Sequence, residues 1–248
     1  MNILALETSS QHCSVALQAG KQLYSREDNS ALSHSRSLLS LIDQVLKDAD
    51  LAMSELNAIA VSRGPGSFTG LRIGIAVAQG LAFGQQLPIV PVSSLALVAA
   101  NAAKFCGDKS IATERVLATM DARMGEIYCA WYDIQNELPV LLSSESVLPP
   151  ESLDDFSQAV FDSQASDDVM INRHANQIVG GGLQYQSQFS ADLNKKLNLS
   201  ADTDIAVALN ILPDAKAMLS IASQAFELGQ GIEAEALTPV YLRNNVTY

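Results

Sequence analysis

Cysteine and histidine are scarce in this 248-residue chain, with three of each. Cys13, Cys106 and Cys129 lie far apart, are odd in number and include no Cys-x-x-Cys pair, which argues against a disulfide framework and a zinc-thiolate site. His12, His34 and His174 share no metal-ligand spacing, and without a His-Glu-x-x-His pattern zinc hydrolysis has little support. Basic residues are also short: 15 Lys and Arg stand against 27 Asp and Glu, a net charge of −12. Phosphate contacts need clustered Lys and Arg, so the chain alone is not expected to grip nucleic acid. Apolar runs are short as well. That from Ile73 to Phe83 is too short to span a bilayer, and Glu7 stands where a secretory leader has its basic start and apolar core. A cytoplasmic protein with no membrane association is expected.

What is abundant is apolar surface, 48% of residues against 17% charged, in a chain long enough to bury a substantial core. It is densest from Val61 to Gly84, where the apolar strand Ala58 to Val61 enters a turn at Gly64-Pro65-Gly66 and a helix leaves near Phe68. Ser67 is placed to cap that helix. Between Phe68 and Gly84 the only polar side chains are Thr69, Arg72 and Gln79, so more than one side must be covered. Gly70, Gly74, Ala78 and Ala82 form a ridge of small residues at i, i+4 steps, on which another helix can come close.

Ahead of this block, Ile3 to Leu6 has the continuous apolar run of a strand buried on both faces. After the turn Glu7-Thr8-Ser9-Ser10, Ser14 to Ala19 alternates as a strand and Gly20-Lys21 makes a hairpin into Leu23-Tyr24. The spacing predicts a helix from a Ser30 or Ser33 cap to about Asp50, with core stripe Leu38, Leu41, Ile42, Val45 and Ala49. Leu32, Leu39 and Leu46 form a second stripe beside it, expected to point sideways toward a partner. A strand at Ile89 to Val92 and an alanine-rich helix from Ser94 to Lys104 close this half. The second half repeats the pattern. Strands Arg115 to Asp121 and Glu126 to Tyr132 surround a tight turn, and in both halves a buried strand ends in a carboxylate. A third strand, Val140 to Ser143, precedes Pro149-Pro150; Phe161 to Asn176 reads as a polar loop; Ile178-Val179 leads into Gly180-Gly181-Gly182 and a helix; and the last helix runs from Pro213 to Gly229. Two tandem strand-meander units imply an α/β fold of two ribonuclease-H-like lobes, the second degenerate. The expected domains are 1–108, with helix 213–229 packed on it, and 109–212.

Most catalytic patterns are missing. Gly64-x-Gly66 followed by Gly70 misses the dinucleotide fingerprint by one residue and lacks a P-loop lysine. A glycine turn at a helix N-terminus can receive a phosphate, or it can serve a tight turn and close packing. Glu7 and Asp121 can face one cleft and hold magnesium for a nucleotide, or be ordinary strand-end residues. Gly180, Gly181 and Gly182 allow an adenosine to approach the backbone, or only a flexible turn. Ser67 lies outside any Gly-x-Ser-x-Gly elbow and reads as a cap. Cys13 and Cys129, on apolar strands, read as core.

The segments MNILALETSS, HCSVAL, SRGPGSFTGLRIGIAVAQGLAFG, PIVPVSSL and MDARMGEIYCAWY resemble the TsaB family along the whole chain. The resemblance implies the actin, Hsp70 and sugar-kinase superfamily and a role in making threonylcarbamoyladenosine next to the anticodon of tRNA. In that system TsaC makes threonylcarbamoyl-adenylate, TsaD transfers the threonylcarbamoyl group, TsaE supplies an ATPase, and TsaB is TsaD's partner. The similar TsaD carries a metal-holding His-x-x-x-His pair after the strand that follows the apolar helix. Here Ser94 and Val98 stand at those places, and neither replaces a histidine ligand. The resemblance therefore implies no catalytic residue, no metal and no cofactor on this chain. It implies a scaffold that pairs with TsaD through Leu32, Leu39, Leu46, Gly70, Gly74 and Ala78. It further implies that the chain meets TsaE and tRNA through the complex and forms a homodimer when alone. Glu7, Thr8, Ser9, Asp121 and Gly180 to Gly182 are the places for a vestigial nucleotide. An active magnesium-dependent ATPase or kinase is the alternative, and a metallopeptidase fails on the missing ligands.

Overall fold

A computed structural model describes residues 1–28, 34–105, 113–165, 174–197, 199 and 205–243. The chain forms two compact units, one of Met1–Leu97 with Pro213–Tyr241, the other of Val98–Leu212 with Leu242 and Arg243.

The first unit is built on β1 (Asn2–Glu7), β2 (Cys13–Ala19), β3 (Gln22–Asp28), β4 (Ala58–Gly64) and β5 (Ile89–Ser93), in the sheet order β3-β2-β1-β4-β5. β1 pairs antiparallel with β2 and parallel with β4. Strand alternation divides the sheet's two faces by size. Leu4, Leu6, Val15, Leu17, Ile59 and Val61 pack with α1 (His34–Asp48) and α2 (Phe68–Gln85). The opposite face carries Ala5, Ala16, Ala58 and Ala60, all fully buried. These short side chains let α7 (Ala215–Glu227) lie close on β1 and β2, presenting its own Ala215, Ala217, Met218 and Ala222. Both faces of β1 are thus covered, as its unbroken apolar run requires.

In the second unit β6 (Thr113–Arg123), β7 (Glu126–Gln135), β8 (Leu138–Leu141) and β10 (His174–Gly180) form a sheet in the order β10-β6-β7-β8, with β9 (Ser146–Leu148) also on β7. β10 runs parallel to β6, and β7 antiparallel to it. The order repeats β3-β2-β1-β4 of the other unit, and among the described residues no strand corresponds to β5. Two ribonuclease-H-like lobes, the second degenerate, are therefore the fold. Trp131 is fully buried against Leu153 and Val160 of α4 (Leu153–Ala165), its indole N–H donating to Ser157 Oγ at 3.1 Å. The expected polar loop from Phe161 to Asn176 is corrected at both ends, where α4 runs to Ala165 and β10 starts at His174. Polarity misled because α4 buries only a narrow stripe. A single-turn-rich 3-10 stretch, Gly181–Gln188, stands where a helix was expected after the three glycines. The alanine-rich helix is α3 (Ser94–Phe105), and α5 (Ala191–Lys196) and α6 (Ile205–Leu209) are short.

Candidate functional site

The Glu7-Thr8-Ser9 turn ends β1 and is fully buried, at 0–1% exposure. Glu7 Oε1 accepts from both the amide and the hydroxyl of Ser9, each at 2.5 Å. α2 stands directly on this turn. Ser67 N–H donates to the Ser9 carbonyl at 2.7 Å, and Ser67 Oγ caps Gly70 N–H at 3.2 Å. Thr8 Oγ1 donates to the Gly70 carbonyl at 2.8 Å. The glycines are what permit this approach. A Cβ at Gly66 would overlap the Ser9 carbonyl oxygen, one at Gly70 the Thr8 carbonyl oxygen, and one at Gly74 Thr8 Oγ1. The space in which a phosphate could meet this helix N-terminus is filled by the chain's own turn.

Two expectations are corrected here. Gly70, Gly74 and Ala78 were expected to form a ridge facing a partner, but all three are buried inside the chain, the glycines on Thr8 and Ala78 in the core. Leu46 was expected to point sideways; it is 8% exposed and belongs to the core, whereas Leu39 is 52% exposed. The two lie on nearly one side of α1, but the chain after the helix folds back, with Leu51 N–H on the Leu46 carbonyl and Leu51, Met53 and Leu56 in the same cluster. Leu32 lies outside the described residues.

Part of what covers the apolar α2 is the segment from Ala234 to Tyr241, which meets the polar residues of that helix. Gln79 Nε2 donates to the carbonyls of Ala234 and Leu237 at 2.9 and 3.1 Å. Arg72 lies 3.6 Å from the Phe68 ring centroid and donates from Nε to Tyr241 Oη at 3.0 Å. What stays outward on α2 is a band of Ala76, Gly80, Gly84 and Phe83, the last 71% exposed, beside half-buried Ile73, Val77 and Leu81.

The second unit has a matching turn. Gly180 takes φ +95°, and a Cβ there would overlap the Thr119 carbonyl oxygen; one at Gly182 would lie 2.6 Å from Thr119 Cβ. Thr119 Oγ1 donates to the Val179 carbonyl at 2.7 Å and accepts from Gly182 N–H at 3.1 Å. Asp121 Oδ1 accepts from Arg123 N–H and Tyr185 O–H at 2.9 and 3.2 Å, and its Oδ2 lies 3.2 Å from Arg123 Nη1. Glu7 and Asp121 thus belong to different units. Ser94 and Val98 are fully buried, and among the described residues no three His, Cys, Asp or Glu side chains gather as metal ligands. Burial pushes the Cys13 and Cys129 thiols up to about 12, consistent with core positions. No described helix is long and apolar enough to cross a membrane.

A family model described as TsaD, tRNA N6-adenosine threonylcarbamoyltransferase, matches residues 28–246. The chain is 37% identical to the tRNA threonylcarbamoyladenosine biosynthesis protein TsaB of Escherichia coli (strain K12), across 100% of this chain and 97% of that one. The TsaB of Haemophilus influenzae is 34% identical over 100% and 96% of the two chains. The solved structure titled YeaZ from Pseudomonas aeruginosa superposes with a TM-score of 0.76 at 35% identity, covering 97% of this chain and 99% of that one.

Proposed function

Because the chain belongs to the TsaB family of tRNA threonylcarbamoyladenosine biosynthesis proteins, we propose that it is a non-catalytic subunit required with TsaD for that modification. The observation that carries this reading is the closure of both glycine-bearing joints on the chain itself, Gly66 on Ser9 with Gly70 and Gly74 on Thr8, and Gly180 and Gly182 on Thr119, where a kinase or ATPase of this superfamily needs room for phosphates. The outward band of α2 with exposed Leu39 supplies the surface for TsaD. Apolar surface of this kind is costly in water. In the absence of TsaD a second copy of the chain covers it, and TsaE and tRNA are met through the complex. The net charge of −12 suits a protein that supports a tRNA enzyme without gripping tRNA.

Reconstitution tests this. Adding the purified chain to TsaD, TsaC, TsaE, tRNA and substrates should restore modified adenosine, while the chain alone hydrolyses no ATP. ATP turnover by the isolated chain, or full modification without it, overturns the proposal. The paired change Leu39→Glu and Ala76→Glu sits on exposed positions, so the fold should survive and the affinity for TsaD should fall at least ~10-fold, about 1.4 kcal/mol. Sedimentation with and without TsaD reads both results. Unchanged pairing would place the TsaD contact elsewhere on the chain.

A further inference from the structure

Glu7 is a carboxyl with no route to water. Its Oε1 is occupied by Ser9, but its Oε2 is buried without a hydrogen-bond partner. Ser62 Oγ is in the same state on the neighbouring parallel strand, one step past the Leu6–Val61 pair of β1 and β4. Ser94 Oγ, just past the end of β5, is also buried and unpartnered. A carboxylate oxygen sealed from water with no donor to it costs several kcal/mol, and a proton on the carboxyl removes the charge that makes the cost so large.

The charges around Glu7 do not favour a carboxylate. Among the described residues no Lys, Arg or His forms an ion pair with it. On the α7 side stands Asp214, the N-cap whose Oδ1 binds Lys216 N–H. On the β2 side Ser14 Oγ is engaged by Ala215 N–H, and Cys13 is an uncharged thiol. Burial pushes the Glu7 carboxyl from 4.5 up to about 7, against the bonds from Ser9 and the nearby Ser62 hydroxyl, and the Asp214 charge pushes it the same way as burial.

We propose that Glu7 is a proton-linked anchor of the first unit: held as an uncharged acid, it donates from Oε2 to Ser62 Oγ, fixes the Thr8–Ser9 turn, and so holds the N-terminus of α2. Loss of the proton leaves a negative charge in a dry site beside Asp214. The turn it strains is the one that binds Ser67 N–H and the Gly70 carbonyl. The native form keeps the proton more tightly than the unfolded chain does, so the stabilisation is complete below about pH 4.5 and is lost as pH rises through about 7.

Carbon-13 NMR titration of the native protein should show one glutamate carboxyl with its midpoint near 7. Urea unfolding between pH 4.5 and 8.5 should show the native protein losing about 10²–10³-fold in folding equilibrium constant relative to Glu7→Gln, whose amide keeps the shape and cannot ionise. Protection factors of the amides in the first turn of α2, with the base-catalysed intrinsic rate divided out, should fall over the same range in the native protein only. Ordinary midpoints for every carboxyl, or parallel stability profiles for the two proteins, overturn the proposal. The titration needs no variant, so it decides the matter even if Glu7→Gln does not fold.

Discussion

The two units solve one packing problem twice and reach opposite electrostatic results. Each has a threonine near a carboxylate, Thr8 just past the end of β1 and Thr119 within β6, and each brings glycines against that threonine. Thr8 holds α2 through the Gly70 carbonyl; Thr119 holds the three-glycine turn through Val179 and Gly182. Glu7 is sealed and uncompensated, whereas the side chain of Asp121 is 23% exposed and sits beside Arg123. The difference follows from what lies over each turn. α7 closes the carboxylate end of β1, while the turn after β6 is short, with Arg123 and Met124 at positive φ. The shared topology fixes where a carboxylate stands, and the covering element decides whether it meets water and a counter-ion.

Breaking the close approach should have the largest effect. Gly70→Ala puts a methyl into the Thr8 carbonyl, and Gly180→Ala adds a left-handed backbone to a clash with the Thr119 carbonyl. Neither obstacle is a flexible side-chain end, so each should cost about 3 kcal/mol, and Gly180→Ala more. Gly80→Ala is the control: nothing lies within 4 Å of its Cβ, and a gain of about 0.5–1 kcal/mol is expected from helix propensity. Urea denaturation of the three variants measures this. If Gly70→Ala is neutral, α2 does not stand on Thr8 in solution.

Removing the threonine hydroxyls comes next and separates the units. Thr119→Val leaves both the Val179 carbonyl and the Gly182 N–H without that partner, a cost of about 2–3 kcal/mol. Thr8→Val removes a single bond to the Gly70 carbonyl and should cost about 1 kcal/mol. Equal losses in calorimetry would mean that the two joints are equivalent after all.

The sheet of the first unit was legible because its strands announce themselves, β1 by an unbroken apolar run and β2 by alternation, and Ser67 is the cap its position implied. The glycines were legible as necessary but not as to purpose. A ligand and a neighbouring backbone both demand a missing Cβ, and it is the fold that puts the Thr8 and Thr119 carbonyls in that space. Leu39 and Leu46 show a second limit. Seven-residue spacing puts them on nearly one side of a helix, but exposure also depends on where the chain goes next, and Leu51 returns over Leu46 alone. α4 escaped notice because its polar residues outnumber the few that pack on Trp131. The closing of α2 by residues 234–241 joins positions more than 150 apart in sequence, beyond any local pattern.

The smallest effect should come from the exposed carboxylate. Asp121→Asn keeps the Oδ1 acceptor for Arg123 N–H and Tyr185 O–H and loses only an ion pair whose arginine side chain is 82% exposed. Screening by water keeps such a pair within about 1 kcal/mol, so stability should hardly move and should show no step near neutral pH, unlike that governed by Glu7. A finer signal tests the contact itself. The Tyr185 phenol is raised first by desolvation, then by the Asp121 charge and the hydrogen bond to it, with Arg123 opposing. Removing the charge takes away the second of these and leaves the first, so the phenol should titrate at lower pH in Asp121→Asn. Phenolate absorbance, with Tyr185→Phe to assign the transition, reads that displacement. If the Tyr185 midpoint stays where it was, the hydroxyl does not rest on Asp121 in solution. The second carboxylate would then be free to take another partner, which is what the sealed Glu7 cannot do.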